Sequence, residues 1–210
     1  MKGLLDYLAQ NPLWTAILIL LIILMIVMFV FASKSGKKRQ AERERIIAKL
    51  EKEKAIRQEY RTLTEKSFEA DNEKLLFGVA ANIQIELEKE GDMTSAFNEL
   101  PEYKQYIYAL NYVFEDSEYT ALSTFFRCNG QPLTGTAARA VRNIAGDSLS
   151  EIFEPMYNMF DDDNEEVSFD ESQINVLDEK FRELMENEKS SVLQKIADYI
   201  RQNKENFLSV

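Results

Sequence analysis

The chain has 210 residues, of which 25 are Lys or Arg and 36 are Asp or Glu, for a formal net charge of −11. It contains no histidine and a single cysteine, Cys128, which excludes His/Cys zinc sites, triads with an imidazole base and intramolecular disulfides. Residues 1–70 hold 13 basic and 8 acidic side chains, a balance of +5. The other 140 hold 12 and 28, a balance of −16, which repels phosphates, so no direct nucleic-acid binding is expected.

A short N-terminal tail, residues 1–12, ends at Pro12, a residue tolerated in a helix's first turn. Residues 13–32 then read LWTAILILLIILMIVMFVFA, without charge, proline or glycine. At about 1.5 Å of rise per residue, such a helix spans roughly 30 Å, the thickness of a bilayer's hydrocarbon core. The stretch has no polar face, and Trp14 sits at one end, where an indole favours the membrane interface. A cleaved signal peptide is the competing reading, but this apolar core is too long and its basic cluster lies on the wrong side. Lys34, Lys37, Lys38 and Arg39 follow the span, against Lys2 and Asp6 before it. The expectation is a single-pass anchor in a bacterial-type inner (plasma) membrane, N-terminus outside, with the four basic residues meeting anionic headgroups on the cytoplasmic side.

Residues 33–66 are the basic juxtamembrane segment and a charged stalk helix. Opposite charges three and four apart, Glu42 with Arg45 and Glu53 with Arg57, support a solvated helix. Ile46, Leu50, Ile56, Tyr60 and Leu63 form a thin apolar stripe, interrupted by Glu53 and Arg57 as a coiled-coil seam.

Residues 67–210 are expected to form an acidic all-α cytoplasmic domain. Phe68, Leu75, Leu76, Val79, Ile83 and Leu87 follow helical spacing up to Gly91. Pro101 opens a helix with Tyr103, Tyr106, Ile107, Leu110, Val113 and Phe114 on its face. Tyr119, Leu122, Phe125 and Phe126 make a third, closed by Asn129-Gly130-Gln131-Pro132. Ala137, Ala140, Val141 and Ile144 mark a fourth, ended by Gly146. A fifth, capped by Asp147 or Ser148, carries Leu149, Ile152, Phe153, Met156, Tyr157 and Phe160, with Pro155 expected to kink or restart it. Ile174, Leu177, Phe181, Leu184 and Met185 give a sixth, and Ser190 opens a last one with Val192, Leu193, Ile196 and Ile200. No stretch alternates with period two, so the fold class is all-α: a transmembrane helix, a charged stalk and a multi-helix domain.

Asp161, Asp162, Asp163, Glu165 and Glu166 are the densest charge feature. A twelve-residue calcium loop starting at Asp161 needs glycine at position six and glutamate at twelve, and finds Glu166 and Ser172. The five carboxylates are instead read as a solvated loop or as an acidic patch for a basic protein. Tyr103, Tyr106, Tyr108, Tyr112, Phe114, Tyr119, Phe125 and Phe126 sit at helical spacing, the mark of a core more than of a ligand pocket. Arg127, Arg139 and Arg142 are expected to hold carboxylates of neighbouring helices rather than to form a small anion site.

Three segments carry a resemblance: Tyr106-Ile107-Tyr108-Ala109-Leu110 leading through acidic residues to Phe125-Phe126 and Asn129-Gly130; Ala137 to Gly146, AARAVRNIAG; and Leu177-Asp178-Glu179-Lys180-Phe181 with the ending Tyr199-Ile200-Arg201, Glu205 and Phe207. With these, residues 68–207 resemble the DNA mimic protein 19 family. Tyr119-Thr120-Ala121-Leu122 stands where the family often shows Asn-Gly-Gly-Phe. The resemblance implies an acidic helical module that binds proteins, presenting carboxylates as a DNA backbone does.

The expected function is therefore a membrane-anchored, acidic, protein-binding domain whose partners are the lipid bilayer and a protein, a basic one if the resemblance holds. No cofactor, metal or catalytic residue is assigned. A membrane-associated enzyme using carboxylates or lysine, or a neutraliser of a basic toxin, remain as the alternative readings.

Overall fold

The computed structural model describes residues 46–160 and 170–208, and before them single positions at 16, 20, 21, 24, 25, 40, 43 and 44. The expected span 13–32 thus lies outside the described residues except at Ala16, Leu20, Leu21, Leu24 and Met25, which are helical and exposed. Among the described residues no helix is long and apolar enough to cross a membrane. Lys34, Lys37, Lys38 and Arg39 lie outside them too, as do Asp161, Asp162, Asp163, Glu165 and Glu166.

The chain divides into two units, Met1–Glu53 and Lys54–Val210. In the first, the described part of the charged helix leaves Ile46, Ile47 and Leu50 more than half exposed. In the second, residues 54–59 continue as helix and end at the buried Tyr60. A 3-10 turn, Glu65–Glu69, follows, set by the reciprocal Thr64 and Ser67 contacts of a capping box. It replaces the α-helical start expected at Phe68.

Helix α1, Asn72–Leu87, begins where the Asp71 carboxylate accepts from the Lys74 amide at 2.9 Å. Its buried positions Leu75, Leu76, Val79, Ile83 and Leu87 keep the helical period. A seven-residue helix not anticipated from the sequence, α2 (Met93–Glu99), starts on the Asp92 cap and buries only Ala96 and Phe97. Helix α3, Glu102–Ser117, runs through the core beside α1 and packs against α4 (Leu122–Cys128) and α5 (Leu133–Ala140). One π-helical turn, Val141–Ala145, extends α5 to Gly146, whose φ of 95° is open to glycine and strained for other residues.

Helix α6, Asp147–Phe160, is a single element containing Pro155, so the proline neither ends nor restarts it. Helix α7, Glu171–Gln202, is one 32-residue rod where two helices were expected. Ser190 and Ser191 lie inside it because Met185, Val192 and Leu193 hold the same buried face across them. A last turn, α8 (Lys204–Leu208), folds back so that Phe207 meets the Tyr103 ring edge-on at 5.0 Å.

Phe114, Phe125, Phe153 and Phe181, each 0–1% exposed, fill the centre. Of the aromatic residues considered for a pocket, Tyr106, Tyr108, Phe114, Phe125 and Phe126 are buried in this core and the others pack against it. Phe126 touches Phe153 at 5.0 Å and stacks on Phe160 at 5.4 Å. Arg201 closes the unit, donating to the carbonyls of Phe68 and Ala70 and to the Asn72 side chain at 3.0–3.1 Å.

Burial pushes the Tyr60 phenol up from 10 to about 12, and pushes Tyr108 and Tyr119 up further in the same direction. A phenol held neutral by the fold contributes stability that is complete below pH 10 and is lost as pH climbs toward the raised value. The midpoint of denaturant unfolding should therefore fall between pH 10 and about 12. Phenolate absorbance should show Tyr108 and Tyr119 ionising only as the fold is lost; early ionisation of all the tyrosines would contradict their burial.

Candidate protein-binding acidic surface

Helix α7 has two chemically different faces over its first half. Ile174, Leu177, Phe181, Leu184 and Met185 are buried, while Glu171, Glu179, Glu183, Glu186 and Glu188 are exposed. Glu179, Glu183 and Glu186 are spaced four and three residues apart, which stacks them in one row at about 6 and 4.5 Å of rise. Arg182 lies in the row, paired with Glu179 and reaching Glu186 at 3.9 Å. Between residues 171 and 188 six acidic side chains face two basic ones, so the ridge keeps a net negative charge.

Two contacts tie this segment of α7 to the corner between α3 and α4. Asp178 accepts from the Ser123 amide at 2.8 Å and from its hydroxyl at 2.5 Å. It serves as the N-terminal cap that α4 lacks from its own Ala121. Lys189 lies 3.7 Å from the centre of the Tyr119 ring and 3.2 Å from both Glu73 oxygens, while Tyr119 donates to Glu73 at 2.9 Å. This anchored ring helps hold Glu118 and Tyr119 in the left-handed region, at φ of 46° and 61°.

The corner carries Glu115, Asp116 and Glu118 at the C-terminal end of α3, where the helix dipole is itself negative. No basic residue occupies the last turn of α3, and none occupies the last turns of α1 or α6. In α6 the sequence that follows is Asp161-Asp162-Asp163-Asn164-Glu165-Glu166. Helix stability favours Lys or Arg at such ends, each by roughly 0.3–1 kcal/mol. The chain places carboxylates there instead.

The residues on either side of the acidic run Asp161 to Glu166 are described. Phe160 precedes it, stacked on Phe126 and under the Arg127 guanidinium at 5.7 Å, and Asp170 follows it, capping α7 by accepting from the Ser172 and Gln173 amides. Arg127 also forks onto both Glu171 oxygens at 3.0 Å, and Arg142 pairs with Glu154 at 2.6 Å, so both arginines hold carboxylates of neighbouring helices. Arg139 donates to the Thr136 hydroxyl within its own helix. An open depression between α6 and the start of α7 is lined by Glu151, Glu154, Pro155, Asn158 and Gln173. Among the described residues no three His, Cys, Asp or Glu side chains converge as a metal site. The α7 ridge and the α3 corner were not singled out from the sequence. Their signal was available as carboxylates opposite Phe181 and as acidic residues at helix C-termini.

The sequence model of a family described as DMP19-like protein matches residues 98–203, just over half of the chain. The chain belongs to the DMP19-like protein family. The match in this DMP19-like chain runs from the end of α2 to just past α7 and so takes in both the acidic corner and the ridge. No curated protein and no solved structure matches the DMP19-like chain.

Proposed function

We propose that this DMP19-like domain binds a basic protein through its exposed carboxylates, in the manner of a DNA mimic, while residues 13–32 hold it at the cytoplasmic face of a membrane. The observation that carries the binding role is the row of exposed carboxylates Glu179, Glu183 and Glu186 on α7, opposite its buried face. This row lies on a helix fixed by core packing and by the Asp178 and Lys189 contacts. Asp161, Asp162, Asp163, Glu165 and Glu166 add their negative charge to what the partner meets in this reading. Anchoring rests on the length and apolarity of residues 13–32 and on Lys34, Lys37, Lys38 and Arg39 after them.

Affinity capture on the full chain, from a membrane extract at low salt, should enrich proteins of net positive charge and release them as salt is raised. Hits without a positive surface, held at high salt, would sink the reading. A reporter fused after Val210 should be active only in the cytoplasm, and periplasmic activity would reverse the orientation.

A further inference from the structure

The end of the charged helix is fastened to α1 by contacts that a binding surface of carboxylates does not require. Tyr60 is 1% exposed, and its ring occupies the space over Gly78, where any Cβ would run into the ring carbons. Its hydroxyl donates to the Ser67 carbonyl at 3.3 Å. The Asn82 amide donates to the carbonyls of Tyr60 at 2.9 Å and Arg61 at 3.3 Å, acceptors that the helix end leaves open. Around this plug stand two ion pairs, Arg57 forked onto Glu88 at 3.1 and 2.5 Å and Lys74 on Glu59 at 2.7 Å. All four side chains are more than a third exposed, so the pairs are weak and screened by salt. The buried ring is the main source of the docking energy.

We propose that residues 54–61 form a releasable clasp, a single aromatic plug in a glycine gap with Asn82 as its latch, which opens as one piece without unfolding the core. Docked, these residues belong to the domain; released, they become linker. The clasp precedes the residues matched by the family, 98–203, and is separate from the acidic surface.

Hydrogen exchange on the full chain in detergent micelles tests this. In the unaltered protein, the amides of residues 57–60 should be protected, with exchange insensitive to mild denaturant compared with that of the core around Phe181. Gly78→Ala should lower their protection by about tenfold or more and leave the Phe181 region unchanged. Alanine for glycine ordinarily strengthens a helix interior, so a loss confined to 57–60 cannot come from helix propensity. Asn82→Ala, which leaves Gly78 untouched, should lower protection over the same residues. Unchanged protection at 57–60 in both variants would overturn the proposal. So would loss of protection there only together with the whole core.

Discussion

Replacing Phe181 with alanine should cost the domain roughly 3–5 kcal/mol of unfolding free energy, the range for deleting a large aromatic side chain from a packed core. Phe181 is 0% exposed at the middle of α7, among the aromatic and aliphatic side chains of the core. The helix around it is fixed at Asp178 by Ser123 and at Lys189 by Tyr119 and Glu73, so it cannot slide inward to fill the space. Denaturant unfolding of residues 54–210 with and without the substitution measures the loss. A change below about 1 kcal/mol would place the ring at the surface and undo the packing of α7 described above.

The second expected effect is on binding. Converting Glu179, Glu183 and Glu186 to glutamine should weaken capture of a basic partner by about tenfold, since exposed charge pairs are each worth up to about 1 kcal/mol. Most of the loss should fall on the association rate, because carboxylates on a surface steer a basic partner toward it. Stability should change little, since all three side chains are exposed and the buried face of α7 is untouched. Arg182 is left without its partners in this variant, and Arg182→Gln beside the triple change separates that effect from the loss of negative charge. Equal affinity for the triple variant and the unaltered chain would move the binding face away from α7.

The helical faces were legible wherever apolar residues recurred every three or four positions over several turns, as in α1, α3 and α6. Helix α2 was not, because seven residues with two buried side chains offer too little period to detect. The expected break before Val192 rested on Ser190 as a cap; inside a packed helix those serines simply face solvent, and the buried residues on either side decide the matter. Pro155 behaved likewise, with the packing of Ile152, Phe153 and Met156 carrying α6 through it. Tyr60 read only as one position of the stalk's thin apolar stripe, and Gly78, eighteen positions further on, accounts for its burial. The acidic surface was half legible. A local run such as Asp161 to Glu166 stands out in a sequence, whereas the α7 row becomes visible only when the face opposite Phe181 is known to be exposed.

A basic protein should meet these carboxylates as it would meet a nucleic-acid backbone. Competition tests it most directly, with the captured partner bound to the full chain and duplex DNA titrated in at fixed salt. Displacement of the partner by DNA, together with an affinity for the chain that falls steeply between low and physiological salt, is the predicted result. A partner that stays bound under saturating DNA, at an affinity indifferent to salt, would contradict it.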